Sequence, residues 1–185
     1  MITKADNINK VGRPFKYVVG YVLETKSYGK LKILDRNDAG NMHVQFLETG
    51  YETVVSLSCL RRKKVRDPLR PNVCGVGYAG VGDYPVSINT KAVPAYNVWK
   101  GILMRCYVEA VPAYEYYGAK GVTVHPDWHN YQNFAEFYEC NHKEGQDLDK
   151  DILQQGIEKK VYGPTTCVFV SRQVNAAEMH SRKSA

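Results

Sequence analysis

From residue 17 to residue 57 the chain switches between short runs of alternating polarity and tight clusters of turn residues. Tyr17-Val18-Val19-Gly20-Tyr21-Val22-Leu23 is rich in β-branched and aromatic side chains. Lys30-Leu31-Lys32-Ile33-Leu34 and His43-Val44-Gln45-Phe46 alternate polar with apolar, and Tyr51-Glu52-Thr53-Val54-Val55-Ser56-Leu57 follows the turn at Thr49-Gly50. Residues 35–41 (DRNDAGN) form a turn cluster between two of these runs. A period of two gives each strand one wet face and one face for a core. Four such strands joined by short turns predict a small antiparallel β-barrel, of the Src-homology or Tudor kind.

A basic run, Arg61-Arg62-Lys63-Lys64-Val65-Arg66, follows directly and stops at Asp67-Pro68. It belongs to a wider asymmetry. Residues 1–70 hold 14 basic and 7 acidic residues, a net of +7, whereas the remaining 115 residues of this 185-residue chain carry −1. Charge gathered on one part of a protein is the usual footprint of a polyanion partner. Cations that repel one another lie extended in water and can be laid along a phosphate backbone, releasing counterions as they bind. Arg61, Arg62, Lys63, Lys64 and Arg66 are therefore candidate contacts to double-stranded DNA. The alternative for the same run is an edge strand guarded by charge.

The middle of the chain reads differently. Gly75-Val76-Gly77-Tyr78-Ala79-Gly80-Val81-Gly82 has a Gly-x-Gly-x-x-Gly spacing, but Arg70-Pro71-Asn72 before it and Asp83-Tyr84-Pro85 after it leave no strand and helix in register. The run is expected to be a linker or a close-approach loop, not a dinucleotide site. Pro94 opens a helix on which Trp99, Ile102, Leu103, Cys106 and Tyr107 share a face, with Lys100 and Arg105 off it. Asn130 caps a second helix with Tyr131, Phe134, Ala135 and Tyr138 as its apolar stripe. His125 and His129 are four apart, but Pro126 between them argues against a helical zinc pair. Five scattered cysteines without a Cys-x-x-Cys pair speak against a disulfide framework and for a reducing compartment. No apolar run suits a membrane span or a signal core.

The last third reads as strand, turn, strand, helix. Leu148 to Leu153 is the first expected strand and Cys167 to Val170 the second. Ser171 then caps a helix through Glu178. Asp147, Asp149 and Asp151 fall on one face of the first strand, where carboxylates repel unless water or a cation separates them.

WKGILMRCY (99–107), YEYYGAKGVTVHPDW (114–128), NFAEFY (133–138), LDKDIL (148–153) and YGPTTCVFVSRQVNA (162–176) resemble phage and mobile-element proteins with an HNH-like C-terminal unit. The resemblance implies a ββα-metal finger related to HNH endonucleases. In that family a strand Asp and a helix His or Asn hold one divalent metal, and a His activates water. Asp149 matches the strand ligand and Asn175 the helix ligand, so Mg²⁺ or Mn²⁺ is the implied cofactor. Lys150 stands where the general-base His would be, and Thr166 or Cys167 where the middle Asn would be. A lysine is mostly protonated near neutral pH and is better suited to holding a phosphate than to taking a proton.

The resulting expectation is an α+β chain with three parts. Residues 1–66 form the barrel with its basic tail, 67–93 a Gly/Pro-rich linker, and 94–185 a helical, HNH-like ββα domain. Three functions follow. The first is a DNA-binding relative of HNH endonucleases with weakened or lost cleavage, to which Lys100, Arg105 and Lys120 add further contacts. The second is an active metal-dependent endonuclease using another base, with His129 the first candidate and His125 and His142 the others. The third is a small phage effector that docks on a host protein. Each places the protein in the bacterial host's cytoplasm, away from membranes.

Overall fold

The computed structural model describes residues 16–37 and 39–183. The chain divides into two compact units, one up to Arg70 and one from Pro71 onward.

The first unit is an antiparallel meander of β1 (Val22–Glu24), β2 (Lys30–Arg36), β3 (Met42–Phe46) and β4 (Glu52–Val55), in the order β1-β2-β3-β4. The expected barrel is not there: β1 and β4 remain open edges and the sheet does not close. With strands of three to seven residues, cover comes instead from the segment after β4. There α1 (Leu57–Arg62) and the turn beyond it bury Leu60 and Val65 against Leu23, Leu31, Ile33, Met42, Val44 and Phe46. The alternation read from the sequence is visible in β3, where Met42, Val44 and Phe46 are buried and His43 and Gln45 are not. A bulge between Ile33 and Asp35 bends the β2–β3 pair.

The second unit is mixed α and β. Its short hairpin, β5 (Ser87–Ile88) and β6 (Lys91–Ala92), turns at Asn89 and Thr90, both at positive φ. Next comes α2 (Pro94–Tyr107), which starts at Pro94 and buries Trp99, Ile102, Leu103 and Cys106. After two short 3₁₀ turns, β7 (Thr123–Val124) leads to α3 (Tyr131–Asn141), whose cap Asn130 accepts the Gln132 N–H at 3.1 Å. Tyr131, Phe134, Ala135 and Tyr138 point into the core, where the Trp99 indole donates to the Trp128 carbonyl at 2.6 Å.

Residues 71–93 are no linker. Val73, Cys74, Val76, Tyr84 and Val86 pack against this core, and Tyr78 bridges to Asn130. The glycine-rich run is a close-approach loop. A Cβ on Gly77 would lie 2.5 Å from Leu103 Cδ1 and 2.9 Å from Trp99 Cζ2. Gln132 fastens the loop, accepting from the Tyr84 N–H and donating to the Ala79 and Tyr84 carbonyls, each at 3.0 Å.

The chain ends with β8 (Gln146–Asp149), β9 (Val161–Tyr162), β10 (Val168–Ser171) and α4 (Arg172–Lys183). β8 pairs antiparallel with β10, and β9 runs parallel to β7. The strand expected over 148–153 is cut short at Asp149. Its carboxylate accepts the N–H groups of Asp151 and Ile152, both at 2.7 Å, and folds the chain into a 3₁₀ turn over Ile152–Gln154. No described helix is long and apolar enough to cross a membrane.

Candidate nucleic-acid interface

Leu57–Arg62 forms one and a half turns of helix because Ser56 sits before it as an N-cap, accepting the Cys59 N–H at 3.4 Å. Leu60 anchors the helix in the core. The face away from Leu60 carries Arg61 and Arg62, both in the last turn, where positive charge complements the helix dipole. The basic run is therefore not an extended strand, as its charge alone suggests. Lys63 ends the helix in the left-handed region, φ 55°, with its N–H directed to the Cys59 and Leu60 carbonyls. Lys64 follows, Val65 turns inward, and Arg66 is outside again.

The five cations are exposed, and among the described residues none forms an ion pair with a carboxylate. The nearest acid in sequence, Asp67, is buried and is satisfied by the Thr49 hydroxyl at 2.6 Å and the Leu69 N–H at 2.9 Å. Arg70 leaves the group to pair with Glu48 at 2.5 Å. A sixth cation joins: the Lys26 N–H donates to the Lys63 carbonyl at 3.1 Å, placing the turn after β1 beside the run. Lys26 is exposed, and its membership was hidden in the sequence because 37 residues separate it from Lys63.

The residues matched to the HNH pattern sit in the second unit and are otherwise engaged. Lys150 is 8% exposed. Its Nζ donates to both Asp151 oxygens, at 2.8 and 2.9 Å, and lies 5.0 Å from the Tyr117 ring centre and 5.8 Å from that of Tyr162. Lys160 donates to the same Asp151 carboxylate at 2.6 Å. Burial pushes the Asp151 carboxyl up, and the two lysines outweigh it, so the pKa is lowered overall. Arg105 completes the cluster from α2, its guanidinium 5.3 Å and 5.7 Å from the Tyr117 and Tyr162 ring centres. Arg105 is half-buried between rings, not a surface cation, while Lys100 and Lys120 are exposed. Lys150 is thus a counter-ion inside a packed cluster, and its Nζ points at a carboxylate where a general base would face water.

Asp149 is buried, with one oxygen committed to the two N–H groups that form the turn. Asn175 is half-buried in the first turn of α4. Among the described residues no three of His, Cys, Asp and Glu gather into a group that could hold a metal. A lone carboxylate already capping a turn is a poor fit to Mg²⁺ or Mn²⁺, which favour oxygen ligands free to coordinate. Asp147 is exposed, with Arg172 3.8 Å away, and Asp151 has left the strand face for the lysine pair. The three aspartates therefore do not share one face.

The histidines are spread as well. His125 is exposed and its Nδ1 accepts the Asp127 N–H at 3.3 Å. His142 stacks on Tyr138 with ring centres 4.3 Å apart. His129 lies edge-on to Tyr107 and its Nε2 is buried without a hydrogen-bond partner. Burial lowers its pKa, with the nearby His125 acting in the same direction and the Val124 backbone opposing.

No family model matches the chain, and no curated protein or solved structure matches it either.

Proposed function

We propose that this protein binds duplex DNA through the cationic end of α1, with the β8–β10–α4 segment kept as an HNH-like ββα scaffold and not as a strong nuclease centre. The observation that carries the reading is the set of five exposed cations at 61–66, with Lys26 beside them and no carboxylate paired to the five among the described residues. A particular support is Lys63. Its left-handed backbone is the position where helices usually place glycine, and a lysine there costs stability that a phosphate contact would offset.

Binding of a blunt duplex should weaken as salt rises, with a slope of about −0.9 per phosphate neutralised. Reversing Arg61, Arg62, Lys63 and Lys64 together to glutamate should abolish most of the affinity. Unchanged affinity in that variant, measured by fluorescence anisotropy, would refute the assignment of this surface.

One observation favours cleavage as the second reading: His129 is held neutral with an unpartnered Nε2, the state a base requires. Under that reading plasmid DNA is nicked with Mg²⁺ or Mn²⁺, and both Asp149→Ala and His129→Ala stop the nicking. Intact plasmid under either metal rules it out.

A further inference from the structure

The second unit has a net charge near zero, so its sequence gives no reason to expect a nucleic-acid contact there. The fold nevertheless collects three side chains at one place. Tyr116 is 65% exposed, the most exposed of the large apolar and aromatic side chains described. It is held on a five-residue 3₁₀ turn, Pro112–Tyr116, started by a proline. The Lys120 ammonium lies 5.7 Å from the centre of the Tyr116 ring, from the next 3₁₀ turn. That turn ends at Gly121, φ 78°, and a Cβ there would touch the stem of Lys159 at 3.5–3.8 Å. Lys159 thus lies across Gly121, delivered by the segment that leads into β9, whose pairing with β7 fixes it. Tyr116, Lys120 and Lys159 are all exposed. Lys160, by contrast, turns inward to Asp151 and does not contribute.

Burial of Tyr117 and Tyr162 in the Arg105–Lys150 cluster makes the exposure of Tyr116 informative. The core takes one of two adjacent tyrosines and leaves the other in water with a cation over it. An exposed ring flanked by ammonium groups has the composition of a base-stacking platform, with the cations in reach of the phosphates on either side of the stacked base. Such a platform cannot use a base that is already stacked and paired within a duplex. Glu115 and Glu158, exposed neighbours of Tyr116 and Lys159, make the surface unsuited to tracking a long phosphate backbone.

We propose that Tyr116, Lys120 and Lys159 form a contact for an unpaired nucleotide, so that the protein prefers duplexes with a single-stranded tail or opening. The proposal rests on the nucleic-acid reading above but uses a different surface. It is tested with two labelled DNAs: a blunt duplex and the same duplex carrying an unpaired oligothymidine tail. Wild-type protein should bind the tailed DNA about tenfold more tightly, the size of a single base–aromatic contact. Tyr116→Ala should remove that increment and leave blunt-duplex binding unchanged, while Tyr116→Phe should retain it. Lys120→Gln combined with Lys159→Gln should reduce the increment and its salt dependence.

Equal binding of the two DNAs by wild type overturns the proposal, and so does a Tyr116→Ala variant that loses affinity for both alike. Blunt-duplex binding that survives with no tail increment sinks this inference alone. A tail increment that persists when blunt duplex is not bound sinks the duplex reading alone. Because Tyr116 is exposed, its substitution should leave the circular dichroism spectrum unchanged, which separates loss of contact from loss of fold.

Discussion

Lys63 and Lys150 show how two lysines of one chain come to opposite uses. Lys63 is exposed on a strained backbone; Lys150 is buried against a carboxylate and two rings. Replacing Lys63 with glycine should raise stability by up to about 1 kcal/mol, since glycine adopts the left-handed conformation without steric cost. The same change should weaken DNA binding, and urea titration and anisotropy on one sample would show the opposed effects. Asp151→Asn leaves Lys150 buried without its carboxylate, and breaking a buried pair from one side costs about 3–5 kcal/mol. The pH dependence follows from the lowered Asp151 pKa. A carboxyl held below its unfolded value contributes stability fully above that value, 3.8, and loses it as pH falls through the folded one. The urea midpoint of wild type should therefore fall on acidification below about 4, and Asp151→Asn should flatten that fall. A parallel decline in both proteins would place the acid sensitivity elsewhere.

At the level of elements, the glycine-rich loop is the clearest case of spacing that looked like one thing and is another. Gly77 is required by the approach of Leu103 and Trp99, not by a phosphate. Gly77→Ala should cost about 1–3 kcal/mol through overpacking, read as a shift in the thermal midpoint. A neutral substitution would mean that α2 can move away from the loop. The start of α2 at Pro94, the Asn130 cap and the apolar stripe of α3 were legible because local chemistry fixes them. The four strands of the first unit were legible from their alternation, but their closure was not, because closure depends on edges meeting across space. The end of β8 was missed for a related reason. Asp149 counts as one more alternating residue until its carboxylate is seen to accept two backbone N–H groups. Lys26, Lys160 and the Tyr117–Tyr162 pair were likewise invisible, since nothing in a linear sequence brings them to Lys63, Asp151 or Arg105.

For the whole molecule, the division at Arg70 and Pro71 gives each unit a core of its own. A fragment spanning residues 71–185 should therefore fold alone, with a cooperative thermal transition and the circular dichroism of a mixed α and β chain. A fragment that stays unfolded would show that residues before Pro71 are needed. The charge division matches the same boundary. The positive excess lies before Pro71, whereas the cations after it are partly consumed by internal pairing at Asp151.

The protein has two tryptophans, Trp99 and Trp128, and the indole of one is hydrogen-bonded to the backbone of the other. Both are buried in the second unit and none lies in the first. Indole emission is thus a built-in optical reporter that watches one unit and is blind to the other. Red-shifted emission on heating will mark the melting of residues 71–185 only. The meander that carries the basic run will have to be followed through its tyrosines or its far-ultraviolet signal, and the two readouts together resolve a process that either alone would blur.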